Sequence, residues 1–192
     1  MIFPKIVHDM AEKFGIDESR VYLTGFSNGG MMVRETAVRY PEVFAAFSSW
    51  NAPVGNTGAM MKEDSSVMAP EYDGEFTEIL NRFLESGYEM PCSFIFGDKD
   101  SGAVMEKDLM IKPMVQANRC VSMVCEDKEG HIATYYKNVQ GNTMVAVTVM
   151  KDMPHGAIRE ESRFTWQFLK QFHRKAGVLS HFAKSGQDLD RP

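Results

Sequence analysis

Cysteine is scarce in this chain. Cys92, Cys120 and Cys125 cannot all pair, and their spacing fits neither a zinc ligand set nor a disulfide-dense scaffold. A Cys120–Cys125 bridge is permitted by the spacing but not required. Also lacking is any apolar run of bilayer length. Basic residues are outnumbered, 21 Lys and Arg against 26 Asp and Glu, and form no long run. The formal charge of -5 therefore argues against a nucleic-acid or anionic-membrane partner and suits a small neutral or cationic substrate. The opening MIFPKIVHDMAEKFG mixes charges with its apolar residues too early for a signal peptide. As written, the chain is expected to be cytoplasmic; as a fragment of a longer precursor it would be expected to be secreted. No internal repeat is present.

What is present is material for one core. The chain has 192 residues, 44% of them hydrophobic, which predicts a single domain. Its 15 methionines suit a plastic interior, because the unbranched thioether fills irregular gaps. Phe3, Val7, Met10 and Phe14 recur at helical spacing and predict an opening helix ended by Gly15.

The most informative stretch follows, Val21 to Met32, VYLTGFSNGGMM. The β-formers Val21, Tyr22 and Leu23 run into Gly25, Phe26, Ser27, Asn28 and Gly29. A helical pattern in Val33, Ala37 and Tyr40 then continues to Pro41. A serine at such a strand-to-helix turn sits in strained backbone, and glycines on both sides relieve the crowding. The N–H groups at the helix start point where an oxyanion would develop, so Ser27 is the candidate nucleophile and Asn28 a candidate oxyanion donor. GxSxG alone arises by chance in about one chain in fifteen of this length. The strand and helix around it carry the weight.

Further along, Val43 to Trp50 reads as a buried strand closed by Asn51, Pro53 and Gly55, and strand–helix–strand at this spacing predicts a parallel sheet. Residues 55–90 weaken into a lid-like excursion that ends in a helix carrying Phe76, Ile79, Leu80 and Phe83. Cys92 to Phe96 predicts a third strand, followed by Gly97, Asp98, Lys99 and Asp100. A helix over Val104 to Ala117 contains Pro113. His131 to Val139 and Thr143 to Met150 flank a Gly-containing turn and predict a hairpin whose second strand is buried on both sides. Pro154, His155 and Gly156 precede a final helix with Phe164, Phe168, Leu169 and Phe172. Domain organisation is read as residues 1–175, with 176–192 a polar tail.

A serine hydroxyl needs a base to take its proton and an acid to orient that base. In strand–elbow–helix architectures these follow in the order serine, acid, histidine, each after a later strand. Ser27, Asp100 and His155 satisfy that order. Asp98 is the alternative acid in the same loop; Asp100 is preferred because it lies beyond the tight turn at Gly97, leaving Asp98 to support the turn. Of five histidines, only His155 ends a predicted buried strand. Asp152 reads as a solvated turn residue or a partner behind the histidine. Trp50 and Met60 are candidates for a substrate pocket, and equally for ordinary core or loop positions.

With these residues in view the chain resembles the poly(3-hydroxybutyrate) depolymerase and feruloyl esterase group of α/β-hydrolases. IDESRVYLTGFSNGGMM, FGDKD, the hairpin leading to MPHGA, and SRFTWQFLKQFHR carry the resemblance from Phe3 to Arg174. It implies a mostly parallel sheet with helices on both faces, and carboxylic ester hydrolysis through an acyl-enzyme. Ser27 would be the nucleophile, Asp100 the acid and His155 the base, with no metal or organic cofactor. Relatives often carry an aromatic residue and proline after the histidine; here Ala157 and Ile158 follow Gly156. About twenty residues precede the elbow strand, so the fold is expected in a truncated form. The strands normally ahead of it, and the loop that supplies the second oxyanion N–H, would be missing. An open sheet edge at the elbow strand would invite homodimerisation.

Three readings follow. One is a serine esterase acting on a small, aromatic or oligomeric ester. Another is a weak or inactive hydrolase fold kept as an interaction module, and the third a peptidase of the same fold.

Overall fold

The computed structural model describes residues 2–53, 74–105, 107–157, 159–175 and 178–181. Its first helix, α1 (Phe3–Phe14), carries Pro4 in its first turn and stops at Gly15, whose φ of +64° only glycine adopts cheaply while its N–H bonds Ala11 O at 2.9 Å. A 3-10 turn at Glu18–Arg20, capped by the Asp17 side chain, leads into β1 (Tyr22–Phe26). Then come α2 (Asn28–Arg39), β2 (Ala46–Trp50), α3 (Gly74–Ser86), β3 (Cys92–Gly97), α4 (Ser101–Met105) and α5 (Lys107–Ala117). The chain continues through β4 (Ser122–Lys128), β5 (His131–Lys137), β6 (Thr143–Met150), α6 (Arg159–Leu169), β7 (Phe172–Lys175) and β8 (Val178–His181).

Six strands form one sheet in the order β1-β2-β3-β6-β5-β4. The β1, β2, β3 and β6 strands are parallel; β5 runs against β6, and β4 against β5. Register decides what each face carries. Phe47, Phe94, Phe96, Val145 and Val147 point to one side, where α2, α3 and α5 cover them. The other side carries Ala46, Met144 and Ala146 beneath α6 and β7. This is the mostly parallel sheet with helices on both faces of a truncated α/β-hydrolase fold. Phe44, Phe47, Phe94 and Phe96 lose essentially all their exposure, and burying each side chain is worth roughly 1.5–3 kcal/mol.

The sheet face under α6 also holds a polar seam. Ser93 Oγ donates to Ser48 Oγ at 2.7 Å, Ser48 Oγ lies 3.0 Å from Thr165 Oγ1, and the Trp50 indole N–H reaches both Ser48 and Thr165. Each hydroxyl offers both donor and acceptor, so the buried cluster satisfies itself.

Several elements differ from the sequence expectation. The final helix ends at Leu169 rather than running through Arg174, and Phe172 starts a strand instead. Residues 178–181, expected in a polar tail, form β8 and pair with β7. The buried Arg174 guanidinium donates to the carbonyls of Phe44 and Glu89, tying β7 under the sheet. Strand β4 adds to the expectation, and helical residues begin at Ser101, ahead of the expected Val104. All three cysteines are free. Most of the excursion over residues 55–90, including Met60, lies outside the described residues, as do 182–192.

Candidate active site

Ser27 sits between β1 and α2 with φ +54° and ψ -122°, a conformation non-glycine residues rarely hold. Its backbone is clamped from both sides: the N–H donates to Trp50 O at 2.9 Å, and the carbonyl accepts from Met31 N–H at 3.1 Å. The steric reason for the glycines is local. A Cβ on Gly25 would lie 2.3 Å from Gly29 O, and one on Gly30 would lie 2.7 Å from the Ala52 Cβ. Among the described residues a Cβ on Gly29 would meet nothing within 4 Å. The crowding thus falls on Gly25 and Gly30, not on Gly29, the second glycine of the sequence motif.

Three side chains from separate loops converge above the parallel strands. His155 Nε2 lies 3.1 Å from Ser27 Oγ, and His155 Nδ1 lies 2.7 Å from Asp100 Oδ2. Asp100, about 10% exposed, can only accept, so Nδ1 carries the hydrogen and Nε2 presents its lone pair to the serine hydroxyl. His155 is about half exposed and packs its ring 5.0 Å from that of Phe26. Asp100 caps α4 through its carbonyl, which accepts from Val104 N–H at 3.0 Å. Asn28 begins α2, whose first N–H groups have no intrahelical acceptor.

The neighbouring acid has another task. Asp98 Oδ1 accepts from Met153 N–H at 3.1 Å, and Lys99 N–H donates to Met153 O at 3.0 Å, so the two loops are stitched together just upstream of His155. Asp152 is exposed and pairs with Lys99 at 2.8 Å, the lysine hydrogen bond drawing its carboxyl below the ordinary range. The Trp50 ring is engaged on the α6 side of the sheet, among Ile95, Met150, Met153 and Phe164. His8 lies on exposed α1 beside Glu12, the His131 ring meets that of Phe164 at a tilt of 56°, and His173 belongs to β7. Burial pushes the Cys120 thiol up to about 11 and the Cys92 thiol well above its ordinary value, so neither is a thiolate near neutrality.

One residue of the site escaped the sequence reading. Asn51, which the sequence offers only as the end of a strand, is fully buried and bonds both the acid loop and the histidine loop. Its sequence signal is slight: an amide at the end of a strand, where an Asx turn is the ordinary expectation.

Arranged this way, the site can deprotonate a hydroxyl, support a tetrahedral intermediate at the start of a helix and return the proton to a leaving group. The prolyl oligopeptidase family matches residues 3–146. Among solved structures the chain is similar to the acetyl xylan esterase from Aspergillus awamori, at 19% identity and TM-score 0.56, covering 86% of this chain and 65% of that one. It is also similar to esterase PE8, at 14% and 0.53 over 88% and 58%. A ferulic acid esterase gives 11% and 0.51 over 88% and 58%. This chain therefore spans 58% to 65% of their length. No protein of curated function matches the sequence.

Proposed function

The chain belongs to the prolyl oligopeptidase family, and from that premise we propose a serine hydrolase that cleaves carboxylic esters through an acyl-enzyme on Ser27. The observation that carries the reading is the unbroken relay Asp100–His155–Ser27, with steps of 2.7 and 3.1 Å. His155 Nε2 takes the hydroxyl proton as Ser27 Oγ attacks the ester carbon. Negative charge on the former carbonyl oxygen is met by the Asn28 N–H and the positive end of α2. His155 then gives its proton to the leaving alkoxide, and water, deprotonated by the same nitrogen, releases the acid. Asp100 keeps the imidazole in the productive tautomer and stabilises its cation.

Among the described residues, β1 is preceded by a helix and a 3-10 turn. For substrate, the SNGG elbow with FGDKD and MPHGA favours esters of the kind cut by poly(3-hydroxybutyrate) depolymerases and feruloyl esterases. The test is turnover of p-nitrophenyl and feruloyl esters by wild type and Ser27→Ala. No turnover by folded wild type, or equal turnover by both, would overturn the reading.

Family membership also favours a peptidase reading, which a peptide library run beside the ester panel separates. A non-enzymatic role is favoured by β1. Among the described residues it ends the sheet, pairing only with β2, and its own residues stay half-buried or exposed, which suits pairing with a strand of a second copy. Sedimentation showing a dimer together with an absence of ester turnover would support that role.

A further inference from the structure

Asn51 stands where the three catalytic loops meet. It follows β2, is fully buried, and holds φ +43°. Its own N–H donates to Ile95 O at 2.7 Å, and the carbonyl of the preceding Trp50 accepts from Ser27 N–H. The side chain reaches further. Asn51 Oδ1 accepts from Gly97 N–H at 2.7 Å, at the root of the loop carrying Asp100. Asn51 Nδ2 donates to Gly156 O at 2.6 Å, one residue past His155. The amide orientation is forced, because Gly97 offers only a donor there and Gly156 only an acceptor.

We propose that Asn51 is a positioning residue that sets the spacing between the loops of Asp100 and His155 and so holds His155 Nε2 within reach of Ser27 Oγ. The inference rests on the triad reading above. Upstream of His155 the loop is fastened at Met153, to Asp98 and Lys99. Among the described residues those bonds fasten only the upstream end of the loop before α6 begins at Arg159, and the His155 ring is half exposed. The Asn51 bond to Gly156 fastens the other end. Among the described residues a Cβ on Gly156 would meet only Pro154 O, at 3.9 Å. The acid loop, by contrast, is pressed directly on the histidine loop: a Cβ on Gly97 would lie 2.1 Å from Met153 O. One side chain thereby references both loops to the end of β2, where the elbow is also bonded.

Asn51→Gly tests this, because glycine keeps the left-handed backbone and removes only the amide. Expected are a fall of about 10²-fold in kcat and in the second-order rate of fluorophosphonate labelling, the scale of a 1 Å misplacement. KM should stay within about threefold, labelling should still reach full stoichiometry, and amide exchange should rise across residues 153–157. Asn51→Asp separates the two arms: it keeps an acceptor for Gly97 N–H but sets a carboxylate oxygen against the Gly156 carbonyl. Exchange should then rise over 153–157 and stay low over 97–100. A mere strand-end cap would lower the melting temperature and leave kcat alone. Folded Asn51→Gly with kcat and labelling within about threefold of wild type, or with unchanged exchange over 153–157, overturns the proposal. Wild type that neither labels nor turns over esters overturns the proposed function instead, and the exchange comparison still decides the role of Asn51.

Discussion

Replacing Gly25 by alanine should disable the site without touching any of its polar groups. The added Cβ would lie 2.3 Å from Gly29 O and 2.4 Å from Gly29 C, both backbone atoms of α2 that no rotamer change can move. Relief to ordinary contact requires β1 and the start of α2 to separate by about 1 Å, and overpacking of this kind costs roughly 1–3 kcal/mol. In a domain of this size that lowers the melting temperature by about 2–12 °C. Ser27 rides on the displaced segment, so its Oγ, now 3.1 Å from His155 Nε2, leaves hydrogen-bond range. A misplacement of that size costs about 10²-fold in rate. The assay is fluorophosphonate labelling beside thermal unfolding by circular dichroism, with Gly29→Ala as the partner variant. At Gly29 the methyl meets nothing within 4 Å among the described residues, and labelling should stay within about threefold of wild type, with alanine favoured in the helix by up to ~1 kcal/mol. The reasoning fails if Gly25→Ala labels like wild type, or if Gly29→Ala is the more damaged of the two.

The two acids of the GDKD loop should separate cleanly. Asp100→Asn is expected to lower ester turnover by about 10⁴-fold, because the amide can favour the wrong imidazole tautomer. Asp98→Asn retains an acceptor for Met153 N–H and should keep turnover within about tenfold, at a stability cost of ~1 kcal/mol; the reverse ranking in ester turnover would exchange their roles. The half-buried Cys120 thiol predicts an alkaline loss of stability. Burial raises Cys120 from 9.0 to about 11, so the folded chain holds that proton more tightly than the unfolded one. The stabilising contribution is complete below pH ~9 and is lost as pH rises through the folded value. Melting temperatures between pH 8 and 11 should fall less steeply in Cys120→Ala than in wild type; equal slopes would exclude the thiol as the cause. Arg174→Leu, which removes the donors to Phe44 O and Glu89 O, should lower stability by ~2–4 kcal/mol in chemical denaturation. A change below about 0.5 kcal/mol would mean that β7 is held by packing alone.

How much of this could be read from the residues differed by element, for physical reasons. The elbow was legible because its strand, turn and helix are consecutive and each obeys its own periodicity. Ser27, Asp100 and His155 could be nominated because chain order and strand ends constrain where a triad can fall. Strand β4 was not legible: SMVCEDK lies at the sheet edge with nearly every residue exposed, so burial imposes no alternation on it. Phe172 misled in the opposite way. It continues the four-residue spacing of Phe164 and Phe168, and its ring does meet Phe168 at 5.1 Å, but from a strand that turns back under the helix. The same contact serves either backbone, so the pattern could not tell them apart. Asn51 and Gly30 were invisible for a third reason, since their importance lies in partners distant in sequence or on another element: Gly97, Gly156 and Ala52. Spacing within one segment carries no trace of such contacts.

Intact-mass analysis after fluorophosphonate treatment tests the central claim most directly. Folded wild-type protein should gain a single adduct, peptide mapping should place it on Ser27, and Ser27→Ala should gain none. Folded wild type that stays unmodified, or an adduct that persists in Ser27→Ala, would contradict the account.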